Sequence, residues 1–72
     1  MDRALSLLAA FRNGDGPLAL AELAARTQLY KSTALRLLAS LVHARLLHRQ
    51  DDGRYTPGVE VARLNGVFQR QF

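Results

Sequence analysis

The stretch Leu29-Tyr30-Lys31-Ser32-Thr33-Ala34-Leu35-Arg36-Leu37-Leu38-Ala39-Ser40-Leu41 limits most strongly what this chain can become. At 3.6 residues per turn, Ala34, Leu37, Leu38 and Leu41 fall on one face, spaced i, i+3, i+4, i+7. Ser32, Arg36 and His43 fall roughly opposite, and Lys31 stands at the helix start. The apolar stripe must bury against other elements, which leaves the polar face free. Short hydroxyls at Ser32 and Thr33, with Arg36 one turn on, suit phosphate oxygens. The unpaired N–H groups and the positive dipole end of a helix start point the same way. An ordinary amphipathic helix with a solvated outer face carries the same pattern, so the neighbouring elements decide between the two.

At 72 residues the chain is one small domain with a thin core. It has no Cys, which removes disulfide frameworks and cysteine metal sites and suits a reducing cytoplasm. Met1-Asp2-Arg3 does not read as a signal peptide, and the longest apolar runs fall far short of a membrane span. The net charge of +4 is unevenly placed. Arg26, Lys31, Arg36, Arg45, Arg49 and Arg54 face only Asp51 and Asp52 in the middle of the chain, and the remainder is balanced. A polyanionic partner is consistent with that excess.

From the N-terminus, residues 2–12 read as a helix with Ala4, Leu5, Leu7, Leu8 and Phe11 on a broad apolar stripe and Asp2 as its cap. Asn13-Gly14-Asp15-Gly16-Pro17 is a breaker cluster, and residues 18–20 read as a short strand segment. Residues 21–26 read as a second short helix buried through Leu20, Leu23 and Ala24, and Thr27-Gln28-Leu29 as the turn after it. Ala19 stands where a Ser or Thr would complete a capping box with Glu22, so a weaker cap is expected. Two short helices joined this tightly, the second opening on hydroxyls and a cation, match a helix-turn-helix. The third helix runs to about Ala44. Residues 46–49 and 54–56 read as strands around Asp51-Asp52-Gly53, a hairpin signal, and Pro57-Gly58 ends the second. Arg49 and Arg54 flank the tip, where a cation can reach backbone phosphate or the minor groove. Residues 59–72 read as a last helix with Val61, Leu64, Val67 or Phe68, and Phe72 at helical spacing, interrupted by Gly66. Three helices followed by a two-stranded hairpin is the order of a winged helix.

The ordered set Arg3-Ala4-Leu5-Ser6-Leu7-Leu8, Leu20-Ala21-Glu22-Leu23-Ala24, Lys31-Ser32-Thr33 with Arg36-Leu37-Leu38 and Leu41, then Asp52-Gly53-Arg54-Tyr55 and Gly58 resembles the N-terminal domain of IclR-type bacterial transcriptional regulators. Each piece is a few common residues; the set in this order and spacing is specific. Two positions depart from the family pattern: Tyr30 stands where a Pro is usual, and Arg45 where a Gly is usual after the recognition helix. A left-handed backbone at Arg45 would be strained by roughly 1 kcal/mol, so a different helix end is expected there.

The resemblance implies a mainly α fold with a small β-hairpin, a winged helix-turn-helix. The helix-turn-helix would occupy about residues 20–44, the wing about 46–57 and the start of a linker helix about 59–72. It further implies double-stranded operator DNA as the partner, bound as a homodimer, with a small-molecule effector acting only through a C-terminal domain absent from this chain. The DNA-contacting residues expected are Lys31, Ser32, Thr33, Leu35, Arg36, Arg49 and Arg54. Leu35 is either a boundary residue packed on the second helix or an apolar contact for a thymine methyl. No cofactor, metal or membrane partner is expected. Ser32 and Thr33 lack a base at hand for catalysis, and His43, His48 and Asp51 lack metal-ligand spacing. The competing reading is a winged helix used only to bind protein.

Overall fold

The computed structural model describes residues 3–12 and 14–71, with the side chains of all of these except Asn65 and residues 68–71. Asp2 as a cap, Asn13 in the breaker cluster, and Phe68 and Phe72 as apolar side chains lie outside the described residues. The elements in order are α1 (Arg3–Ala9), α2 (Leu20–Thr27), α3 (Lys31–His43), β1 (Leu47–Arg49), β2 (Tyr55–Pro57) and α4 (Val59–Gln71). This is the winged helix-turn-helix order.

One core ties the elements together. Leu7 of α1, Leu23 of α2, Leu38 of α3 and Leu47 of β1 are fully buried, so each of these four elements contributes a leucine worth about 2 kcal/mol in transfer terms. Leu18, Ala24, Ala34, Leu41 and Tyr55 complete the cluster. The α3 stripe reads out as the sequence pattern requires: Ala34, Leu38 and Leu41 are buried and Leu37 is half-buried.

α1 stops three residues before the expected Arg12. The Ala10 carbonyl, just past the last helical residue, accepts Arg26 Nη1 at 2.9 Å. The Arg12 N–H donates to Asp15 Oδ2 at 2.7 Å. The Arg12 N–H is thereby withdrawn from the helix ladder by Asp15 of the following loop, and the Ala10 carbonyl is held by Arg26 of α2. The strand segment expected at 18–20 contracts to Leu18 alone, because Leu20 already begins α2. Leu18 exchanges two backbone hydrogen bonds with Tyr55, at 2.9 and 2.8 Å. The loop is thereby stitched to the hairpin as a one-residue third strand.

Helices α2 and α3 end in the same way. After α2 the Leu29 N–H reaches the Ala24 carbonyl (3.1 Å) and the Gln28 N–H that of Ala25 (3.4 Å). After α3 the Leu46 N–H reaches Leu41 (3.0 Å) and the Arg45 N–H reaches Val42 (2.9 Å). This is the Schellman arrangement, and in both cases the apolar residue after the left-handed one packs on the core. The left-handed residues are Gln28 (φ 59°) and Arg45 (φ 63°) rather than glycines. The different exit expected after the recognition helix is therefore not adopted. Arg45 takes the left-handed backbone because packing Leu46 against the core and pairing two carbonyls outweigh a penalty of about 1 kcal/mol. As expected, Ala19 gives α2 no side-chain cap.

The wing closes through a three-residue loop. The Gly53 N–H donates to the Gln50 carbonyl (2.9 Å) and the Gln50 N–H to that of Arg54 (2.7 Å). Gly53 sits at φ +88°, the left-handed position such loops require. Asp52 Oδ1 accepts the Arg54 N–H at 2.9 Å and fixes the descending side. β1 and β2 pair antiparallel with Leu47 opposite Pro57, His48 opposite Thr56 and Arg49 opposite Tyr55. α4 then starts against the exit of α3. The Gly58 N–H donates to the Leu46 carbonyl (2.9 Å) and the Glu60 N–H to that of Arg45 (3.0 Å).

Candidate nucleic-acid interface

The outer face of α3 is built by the same periodicity that buries its inner face. Lys31, Ser32, Leu35, Arg36, Ala39, Ser40 and His43 are exposed, while Thr33 is half-buried at the edge. Ser32, Leu35, Arg36 and Ala39 follow i, i+3, i+4, i+7, so the hydroxyl, the apolar side chain and the guanidinium form one stripe along the helix. Lys31 stands one turn before Leu35 on the adjoining row. Leu35 keeps 50% of its surface exposed, so it stands at the boundary between the buried stripe and the outer face. Ser40 is turned inward to its own helix, its hydroxyl donating to the Arg36 carbonyl at 3.5 Å.

Arg26 belongs to the frame and not to the charged face. Its Nη1 donates to Asp15 Oδ2 at 2.7 Å, and its Nε to Glu22 Oε1 at 3.1 Å. With its bond to the Ala10 carbonyl, one guanidinium joins the end of α1, the loop and α2. The Arg26 and Asp15 side chains are each only 21% exposed. The hydrogen bond from Arg26, with that from the Arg12 N–H, holds the Asp15 carboxyl below the usual carboxylate range. The hydrogen bond to Asp15 raises the Arg26 value in turn. The sequence count of central cations thus overstates the surface charge by one. Among the described residues Lys31, Arg36, Arg45, Arg49 and Arg54 carry no ion pair.

The hairpin separates the two wing arginines. Side chains alternate across a strand, so Arg49 shares a face with Leu47 and Tyr55, which are buried. Arg54, paired through its carbonyl with Gln50, falls on the opposite face with His48 and Thr56. Both arginines are exposed, yet they do not form one patch. Arg49 Nη2 lies 3.7 Å from the position a Cβ on Gly53 would occupy, so this side chain runs along the turn. The exposed Asp51 and Asp52 occupy the tip between them.

Directly before α3 stands an exposed side chain, Tyr30, at a position where the sequence departs from the family pattern. Tyr30 is 84% exposed, more than any other large apolar side chain among the described residues. The signal was available: it stands between the core-bound Leu29 and the first turn of α3, where a side chain must point away from the core. His43 and His48 are exposed on separate elements, and among the described residues no three metal-ligating side chains come together. No helix among the described residues is long and apolar enough to cross a membrane.

Comparison with known proteins agrees with this geometry. Residues 1–51 match the IclR helix-turn-helix domain. None of the curated proteins matches the chain. Among solved structures, an IclR-family regulator from Rhodococcus sp. superposes with a TM-score of 0.81 at 32% identity, over 90% of this chain and 26% of that one. An IclR regulator from Silicibacter sp. TM1040 gives 0.84 at 28% identity, over 96% and 27%. An IclR homologue from Microbacterium hydrocarbonoxydans, crystallised with 4-hydroxybenzoate, gives 0.80 at 26% identity, over 86% and 26%. The chain spans about a quarter of the length of each of these proteins. A matched domain over most of the chain, carried on three helices and a wing with an unpaired cationic face, gives the assignment: this chain belongs to the IclR family, as a winged helix-turn-helix DNA-binding domain of a transcription regulator.

Proposed function

We propose that the chain reads double-stranded operator DNA with α3 in the major groove and the wing on the backbone or the minor groove. The contacts are Lys31, Ser32, Thr33, Leu35 and Arg36 from the helix and Arg49 and Arg54 from the hairpin. The observation that carries this reading is the exposed stripe Ser32–Leu35–Arg36 beside Lys31, with its cations free of acidic partners. Such a face presents donors to phosphate and side chains to base edges together. Thr33, being half-buried, contacts from the margin. Because Arg49 and Arg54 lie on opposite sides of the hairpin, each meets a different part of the duplex.

Two copies bind two half-sites about one helical turn, or a multiple, apart. Exposed Leu5 on α1 and Leu64 on α4, and an apolar groove of about 440 Å³ lined by Leu8, Phe11, Val61 and Leu64, support a weak homodimer. Residues 59–72 then begin a linker helix. A small-molecule effector is taken by a C-terminal domain outside these 72 residues, and the protein acts in the cytoplasm. Selection of bound sequences from random duplexes, followed by gel shift, tests the proposal. A paired motif with fixed spacing is the expected outcome; recovery of no preferred duplex overturns it.

A further inference from the structure

We infer that Tyr30 is a DNA-backbone contact, its phenolic hydroxyl donating to a phosphate at the edge of the groove that α3 enters. The inference rests on the proposed docking of α3. Its basis is the way the side chain is held. A tyrosine left 84% exposed makes little use of its ring in stabilising the fold. Its backbone is nonetheless fixed on both sides. Leu29 before it is anchored by the bond to Ala24 and packs on the core. Its own carbonyl accepts the Ala34 N–H at 2.9 Å, and its φ and ψ are −64° and 146°. The side chain does not cap α3. A rigid stub thus carries a large amphipathic group into solvent, directly before Lys31 and Ser32. Tyrosine hydroxyls donate to phosphate oxygens without adding charge, and such contacts set register and not sequence. Lys31 and Tyr30 then act on the backbone together, one by charge and one by a placed hydrogen bond.

The test compares Tyr30→Phe, Tyr30→Ala, Lys31→Ala and Arg36→Ala in the 72-residue chain, on a duplex recovered from random-sequence selection and on scrambled duplexes. Melting temperatures are measured alongside. Tyr30→Phe should weaken binding about tenfold, the loss of one hydrogen bond to a charged group, and alike on every sequence. Its salt dependence should match the wild type, and its melting temperature should not move. Lys31→Ala should instead lower the log–log salt slope by about 0.9 per bound copy. Unchanged affinity in Tyr30→Phe, whatever Tyr30→Ala does, with Arg36→Ala still weakened, overturns the inference and leaves the α3 reading intact. Weakening that appears only with a fall in melting temperature also overturns it, since Tyr30 would then be structural. Loss of effect at Arg36 and Lys31 as well, or absence of any bound duplex, overturns the docking of α3 itself.

Discussion

Leu35 shows what a single position decides. A leucine buried against α2 would lose about 2 kcal/mol or more on truncation to alanine. Half of this one faces water, so the expected loss is below about 1 kcal/mol. Leu35→Ala should instead reduce discrimination at one A·T pair by about 1 kcal/mol, the scale of a thymine-methyl contact. A melting curve and a single-position operator series on the same variant check both parts. Asp15 makes a second residue-scale prediction. Its folded value is depressed by Arg26, so its contribution is fully present above the unfolded value of 3.8 and is lost as pH falls through the lower folded value. Asp15→Asn should therefore lower the melting temperature at pH 7, and the gap to wild type should close in acid below that value. A gap that persists unchanged at the lowest pH would mean that the ion pair is not its source. Arg26 was illegible in the sequence for a plain reason. Its partner Asp15 lies eleven positions earlier in a segment whose glycines and proline announce only that the helix stops.

At the level of elements, the junction of α3, the wing and α4 carries the sharpest constraints. A Cβ on Gly58 would stand 2.4 Å from the Arg45 carbonyl oxygen, with the backbone on both sides already hydrogen-bonded. Gly58→Ala must push α4 away from the exit of α3 and should cost about 1–3 kcal/mol by denaturant unfolding. Arg45→Gly acts in the opposite direction at the same junction. Relieving a left-handed arginine should stabilise by about 1 kcal/mol, or about 4–8 °C in Tm. A drop in Tm would show that the arginine side chain has a structural role. The elements themselves were largely legible. Helical spacing of Ala34, Leu37, Leu38 and Leu41 and the Asp-Asp-Gly tip placed α3 and the wing within a residue or two of where they lie. The helix ends were not. Whether α1 reaches Arg12, and whether Arg45 tolerates a positive φ, depends on partners further along the chain: the Arg12 N–H taken by Asp15, and the core against which Leu46 packs. Local preference gave the wrong sign at both.

Across the whole molecule, the polar α3 face and the apolar groove between α1 and α4 are legible as sequence stripes, but their charge balance is not. The sequence places Arg26 with the free cations, whereas the fold spends it on Asp15 and Glu22. It brings Arg49 and Arg54 to one hairpin, whereas the strand pleat sends them to opposite sides. Five cations remain unpaired from Lys31 to Arg54: Lys31, Arg36, Arg45, Arg49 and Arg54. If the cations of α3 and the wing neutralise DNA phosphates, each contact releases counterions, and log affinity falls against log salt with a slope of about −0.9 per phosphate. The most direct measurement is that slope for the wild type and for Arg36→Ala on one duplex. The expected wild-type slope is several times that of a single contact, and that of Arg36→Ala is shallower by about 0.9 per bound copy. A flat salt profile, or a slope unchanged by Arg36→Ala, would contradict it.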